Sequence, residues 1–204
     1  MVESAKRPGA EARRKQILDA AFEVFGRKNY NWASTKEIAE LAGISERTIF
    51  FYFENKKELF LAAVRQATAE IVEAVLRARP PQTDISAFLK MSERNFLDFL
   101  KTYPLKVKLL FQSIDAIEDP DIRKEFRNLL QAFYQLFQAI VEDARKRGEI
   151  REEVSDISAI VCILGFQFVV AYVELLDLEW FAGEQVDIFS LIDVFVDFLT
   201  ARQA

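Results

Sequence analysis

The apolar positions along the chain fall into helical stripes separated by short breaks. Ile17, Leu18, Ala21, Val24 and Phe25 recur three and four apart, with Glu11, Arg13, Arg14, Lys15 and Asp19 over much of the remaining surface. That spacing predicts an amphipathic helix from Ala10 to Phe25, ended by Gly26 and Asn29. Ser34 or Thr35 can open a second, short helix, with Glu37 placed as a capping-box acid for Ser34 and Ile38, Ala39 and Leu41 as its apolar side. Gly43 stops it, and Ser45 starts a third helix running to Phe51. Asn55 caps a fourth, which carries Leu59, Phe60, Ala63, Val64, Ala67 and Ile71 towards Pro80 and Pro81.

Asp84 opens a fifth helix that ends at Tyr103, and an apolar segment with Leu109 and Leu110 follows Pro104. After Asp119 and Pro120, Phe126, Leu129, Leu130, Phe133, Phe137, Ile140, Val141 and Ala144 trace a long amphipathic helix that closes on bases at Gly148. Two more helices are expected, from Asp156 to near Leu178 and from Val186 to near Arg202. With no alternating pattern anywhere, the expected fold is all-α with about nine helices.

Composition narrows the chemistry. The 204 residues include no His and one Cys, Cys162, which excludes His-dependent triads, an intrachain disulfide and Cys-based zinc clusters. No enzyme activity, cofactor or metal is expected. Met1 to Gly9 is polar, so no secretory leader is expected and the cytoplasm is the expected compartment. The formal charge of −5 is unevenly spread: residues 1–66 hold 12 bases and 9 acids, a net of +3, which leaves −8 for the rest. Val154 to Ala201 holds eight acids and no Lys or Arg.

The informative stretch is Thr35 to Phe53. Two short helices that cross steeply need a small residue where their backbones approach, a turn residue tolerant of a left-handed conformation, and an apolar residue on the second helix to lock the angle. Ala39, Gly43 and Ile49 supply these, with Ile38, Ala42 and Ile44 as flanking apolar positions, which predicts a helix-turn-helix. Phe50, Phe51, Tyr52 and Phe53 run consecutively and cover every side of the third helix, so some of them face outward. Beside Arg47, Lys56 and Lys57, such a surface suits a phosphate backbone and thymine methyl groups.

This stretch resembles the DNA-binding domain of the TetR family of bacterial transcriptional regulators, matching its pattern at Thr35, Ile38, Ala39, Ala42, Gly43, Ser45, Thr48, Ile49, Tyr52, Phe53, Lys56, Glu58 and Leu59. The resemblance implies a helix-turn-helix domain over residues 1–54 and a helical ligand-binding and dimerisation domain over 55–204. Arg47 and Phe50 would meet base edges, and Ser34, Thr35, Ser45, Thr48, Tyr52 and Lys56 would bind phosphates. Lys36 would contact phosphate or a base edge, and Lys6, Arg7, Arg13 and Arg14 the backbone or minor groove. Two positions depart from the pattern: Glu46 brings a carboxylate near phosphate, and Phe51 replaces a common His or Arg.

Ile157 to Val173 carries no charge, yet Gln167 lies in it and acids flank it, so it reads as a helix buried on two sides, by its own core and a second subunit, with no membrane partner expected. The resemblance implies a dimer built from the last two helices, with Gly165, Val169, Ile188, Ile192, Phe195 and Leu199 as interface residues. It also implies an effector pocket walled by apolar and aromatic side chains, here Phe96, Phe111, Phe133, Phe137 and Phe166, for which Gln112, Gln135, Gln167, Tyr134 and Tyr172 are the candidate polar anchors. The resulting expectation is a homodimeric repressor on a pseudo-palindromic DNA operator, released by a hydrophobic small molecule. Two alternatives stay open: a helix-turn-helix DNA binder without ligand response, and an all-α binder of apolar ligands.

Overall fold

The structure, a computed structural model, describes residues 9–77, 83–176 and 188–200. Among them are nine α-helices: α1 (Ala10–Arg27), α2 (Thr35–Leu41), α3 (Glu46–Tyr52), α4 (Lys56–Leu76), α5 (Ile85–Thr102), α6 (Pro104–Gln112), α7 (Pro120–Lys146), α8 (Asp156–Leu176) and α9 (Ile188–Leu199). A 3-10 turn, Ser113–Ala116, follows α6. The fold is all-α; the described residues form no strand, only an isolated antiparallel bridge between Ile150 and Thr200.

Helix ends fall where side chains can satisfy the free backbone groups. Asp84 accepts from the Ala87 N–H at 2.8 Å, Asn55 from the Glu58 N–H at 2.9 Å, and Ser155 from the Ser158 N–H at 3.1 Å. Gly148 stops α7 at φ +73°, where its own N–H reaches Arg145 O and the Glu149 N–H reaches Ala144 O, a Schellman closure.

Two compact units emerge. The first holds residues up to Thr68 and takes in Leu105–Glu125; the second holds Ala69–Pro104 and Phe126 onward. The three helices of the expected reading head lie in the first unit, together with the beginning of α4, nearly all of α6 and the start of α7. Its core is Ile17, Leu18, Phe22 and Phe25 of α1 against Ile38, Ile49, Phe53 and Phe60. Gly26 is required by close approach: a Cβ there would lie 2.6 Å from the Leu105 carbonyl oxygen and 2.8 Å from Leu105 Cβ. Lys57 of α4 pairs with Asp119 at 3.3 Å and with Asp121, whose carboxylates hold its ammonium above the usual lysine range; Arg65 pairs with Glu125 at 3.0 Å.

In the second unit, α5 buries Phe88, Leu89, Phe96, Leu97 and Leu100, and α9 packs against it. Lys90 and Asp193 pair at 2.7 Å, and Phe166 of α8 stacks on Phe195 with centroids 4.8 Å apart. Arg151 donates to the carbonyls of Thr200 and Asp197, a cation at the electronegative end of α9. Within the apolar face of α5 sits Glu93, 1% exposed, with neither carboxyl oxygen hydrogen-bonded. Burial pushes its carboxyl up to about 8; the Gln167 amide on α8 offsets this only in part.

α8 is long and apolar enough to cross a membrane by length and composition, with mean hydropathy 2.2 in its most apolar window, of which 28% is buried within the chain. Ile157, Val161, Gly165, Phe168, Tyr172 and Leu176 are exposed at steps of four, four, three, four and four, a stripe along one side.

Two stability measurements check this packing. Gly26→Ala forces the Leu105 backbone to move, and a loss of about 1–3 kcal/mol is expected by denaturant titration; an unchanged midpoint contradicts the close approach. For Glu93, a folded-state value near 8 against 4.5 means that its proton stabilises the fold fully at acid pH, and this is lost as pH rises through 8. Urea midpoints should therefore show Glu93→Gln gaining on the parent as pH is raised; parallel pH profiles contradict it.

Candidate nucleic-acid interface

The turn between α2 and α3 follows from one residue. Gly43 adopts φ +63°, its N–H reaching Glu40 O at 3.1 Å while the Ile44 N–H reaches Ala39 O at 3.0 Å. A left-handed residue after the last helical turn satisfies two carbonyls and swings the chain sharply, a geometry that glycine adopts without steric cost. Ile38, Ala39, Ala42 and Ile49 are all buried at the crossing.

Caps fix both helix starts. Ser34 closes a capping box with Glu37: its hydroxyl accepts from the Glu37 N–H at 3.2 Å, and the Glu37 carboxylate accepts from the Ser34 N–H at 3.2 Å. Lys28 also binds that carboxylate and holds it below the usual carboxylate range. Ser45 caps α3 by accepting from the Thr48 N–H at 3.2 Å, and the two hydroxyls lie 2.8 Å apart.

The reading helix presents its chemistry outward. Arg47 is exposed and makes no hydrogen bond, ion pair or ring contact among the described residues. In contrast, Lys15, Arg27 and Lys28 are paired with acids of the head, and Arg14 lies 5.0 Å over the buried Phe53 ring. A guanidinium with no internal partner keeps all its donors for a ligand. Phe50 is half-exposed, Phe51 is 82% exposed and stacks edge-on against Tyr52, and Phe53 is turned inward. Lys56 stands 4.6 Å over the Tyr30 ring, and partial burial lowers its ammonium. Lys36 is exposed, 4.0 Å from Glu40.

Thr35 differs from its expected neighbours at the phosphates. It is 9% exposed and its hydroxyl donates to Glu46 Oε1 at 2.5 Å, so its one hydroxyl proton ties α2 to the start of α3. The same bond accounts for Glu46, whose carboxylate has a partner inside the head. Trp32, 79% exposed just before the Ser34 cap, was not singled out by the helix-turn-helix pattern, because it lies in the preceding turn, where its N–H binds Asn29. Arg13 bonds Gln16 at 2.8 Å; Lys6 and Arg7 lie outside the described residues.

The expected effector and interface residues divide. Phe96, Phe137 and Gln167 are buried in the second unit, and Phe133, Tyr134 and Phe166 are half-buried there. Phe111 lies on α6 in the first unit, and Tyr172 lies in the exposed stripe of α8. Gly165 and Val169 are exposed. On α9 the phase is reversed from expectation: Ile192 and Leu199 are 2% exposed in the chain's own core and Phe195 stacks on Phe166, whereas Val194 and Phe198 face outward. The Ile188 side chain lies outside the described set. No group of three potential metal ligands occurs among the described residues.

Comparison with known proteins agrees with this geometry. Residues 17–63 match the sequence profile of bacterial regulatory proteins of the tetR family. The chain is 30% identical over 122 residues to the HTH-type transcriptional activator FasR of Mycolicibacterium smegmatis, across 60% of this chain but only 55% of that protein, so it spans about half of that relative's length. It is 24% identical to the fatty acid metabolism regulator protein of Bacillus subtilis, over 67% of this chain and 70% of that one. Its fold matches that of the B. subtilis regulator FadR, crystallised in complex with stearoyl-CoA, with a TM-score of 0.72 over 93% of this chain and 99% of that one at 18% identity.

Two substitutions test the reading surface. Arg47→Ala should weaken sequence-specific DNA binding by about tenfold or more, as expected for a lost contact of about 1–3 kcal/mol, without shifting the melting temperature. Glu46→Gln keeps a hydrogen-bond acceptor for Thr35 and removes a negative charge, so binding should tighten, most at low salt. Gel-shift titrations in which neither variant differs from the parent would remove both residues from the DNA face.

Proposed function

We propose that the chain, a member of the tetR family of bacterial regulatory proteins by its match to that family's profile at residues 17–63, is a DNA-binding transcriptional regulator that acts as a homodimeric, cytoplasmic repressor released by a hydrophobic effector. The observation that carries the dimer is the stripe along α8. Ile157, Val161, Phe168, Val169, Tyr172 and Leu176 expose a continuous apolar surface, and Gly165 lies at its middle with nothing within 4 Å of where a Cβ would stand. An apolar band of this length costs free energy in water and is covered most simply by the same band of a second copy, since a two-fold axis makes a patch its own partner. Val194 and Phe198 of α9 add to it.

Dimerisation also supplies what one reading helix lacks. α3 has seven residues and reaches few base pairs, whereas two copies related by a two-fold axis read half-sites about one helical turn apart, hence a pseudo-palindromic operator. Arg47 and Phe50 would read base edges; Ser34, Ser45, Thr48, Tyr52, Lys36 and Lys56 would hold the phosphates, and Thr35 would act through Glu46. The effector is proposed from the apolar interior of the second unit and from the relatives: one is named for fatty acid metabolism, and a structural neighbour was crystallised with stearoyl-CoA. A long-chain acyl compound fits both. It would release DNA only through a difference in its affinity for the two arrangements of the dimer.

Val161→Glu places a carboxylate in the stripe without touching the chain's own core. Sedimentation should show the variant as a monomer at micromolar concentration, and operator affinity should fall by about a hundredfold or more, since each chain then binds a half-site alone. A dimer with parental DNA affinity would overturn the assignment of this face.

A further inference from the structure

We infer that Glu93 and Gln167 are the polar anchor of an effector site in the second unit, built to hold the carbonyl oxygen of a long-chain acyl ester, thioester or amide. The inference rests on the effector reading above and names the group that recognises the ligand.

Among the described residues the buried Ser and Thr hydroxyls are accounted for, and the one other buried side-chain atom without a partner, Gln112 Oε1, lies alone on α6 in the first unit. Ser92 donates to Leu89 O at 2.9 Å, Ser113 to Leu109 O at 2.7 Å, and Thr35 to Glu46. Glu93 and Gln167 are different: both Glu93 oxygens and Gln167 Nε2 are buried without a hydrogen-bond partner. The two residues lie near each other on α5 and α8 in the same unit: the Gln167 amide partly offsets the effect of burial on the acid, yet neither Glu93 oxygen nor Gln167 Nε2 completes a hydrogen bond. Buried polar atoms are nearly always satisfied, and a pair left open in an apolar interior marks a place where something else binds.

The chemistry of the missing partner follows from the charges around the pair. α8 holds no Asp, Glu, Lys or Arg between Asp156 and Glu174. On α5, Lys90 pairs with Asp193, and Arg94 and Asp98 are exposed; on α9, Asp193 and Asp197 are exposed. With no cation to hold a carboxylate, Glu93 keeps its proton at neutral pH. The site then offers an O–H from Glu93 and an N–H from Gln167, two neighbouring donors that a carbonyl oxygen with two lone pairs would satisfy. Leu89, Phe96, Leu97, Ile163 and Val170, buried on the same two helices, supply apolar surface for the chain that follows that carbonyl.

The test is calorimetric titration of the full-length protein with dodecanoyl-CoA, with its thioether analogue S-dodecyl-CoA, and with dodecyltrimethylammonium. At neutral pH the thioether, lacking the carbonyl, should bind about tenfold more weakly than the thioester, and Glu93→Leu should lower thioester affinity by a similar factor. A carboxyl titrating near 8 is about nine-tenths ionised one pH unit higher, so parental affinity for the thioester should fall about tenfold by that point. Glu93→Gln keeps an N–H donor, so it should bind within a few-fold of the parent and lose that pH dependence, which also controls for other titrating groups. Thioester binding that is unchanged by Glu93→Leu and flat with pH would remove the anchor while leaving the effector reading intact. Absence of any acyl-CoA binding by the parent would remove both. Binding of the ammonium probe that tightens as pH rises and is lost in Glu93→Gln would overturn the proposal in favour of a cation site.

Discussion

A single left-handed residue sets the reading head. Gly43 turns the chain between α2 and α3 at φ +63°, and a side chain at that position would be strained whatever space it had. Because the turn is fixed, Ile49 enters the core, and because Ile49 is buried, α3 has its Arg47 and Phe50 side toward solvent. The Thr35 to Glu46 bond then holds the first turn of α3 against α2. The sequence explains the outward aromatics only through this chain of constraints: four consecutive rings cannot all be buried on a two-turn helix, and the packing spends Phe53 on the core and leaves Phe51 in water.

Charge and apolar surface are distributed to different tasks. The head is mildly basic, and among its described residues Lys15, Arg27 and Lys28 are paired with acids, so on the proposed reading it would offer DNA a small set of placed groups, Arg47 among them, rather than a broad positive field. The rest of the chain is acidic, a charge that repels a phosphate backbone. Along α8 the opposite economy holds: almost no charge, an inner face of Ala159, Ile160, Ile163 and Val170 in the core, and an outer face of similar character left exposed. A helix apolar on all sides is stable only when both sides are covered.

Much of this was legible in the sequence because it rests on local rules. Ser34 with Glu37, Ser45 with Thr48 and the Ala39, Gly43, Ile49 spacing are short-range patterns, and the structure forms the bonds and contacts that they predict. What was not legible depends on which of two apolar sides faces inward. α9 has apolar residues around most of its circumference, so periodicity could not choose between the Ile192 and Leu199 side, which is inside, and the Val194 and Phe198 side, which is outside. Tyr172 likewise lies on the exposed side of α8, which is apolar on both sides. The tie between Gly26 and Leu105 joins residues far apart in sequence, and no local pattern reports it. Glu93 carried a signal that went unused: it lies four residues from both Leu89 and Leu97, in the apolar stripe of α5, where an acid is out of place.

The central claim is that two copies of a small, capped reading helix, paired through α8, recognise a two-fold symmetric DNA site. In vitro selection of bound sequences from a random duplex pool, followed by sedimentation of the complex formed with the selected site, measures both parts at once. The account predicts inverted half-sites with centres about one helical turn apart and two chains, or a multiple of two, on each site. Selection of a single asymmetric half-site occupied by one chain, or of no preferred sequence at all, would contradict it.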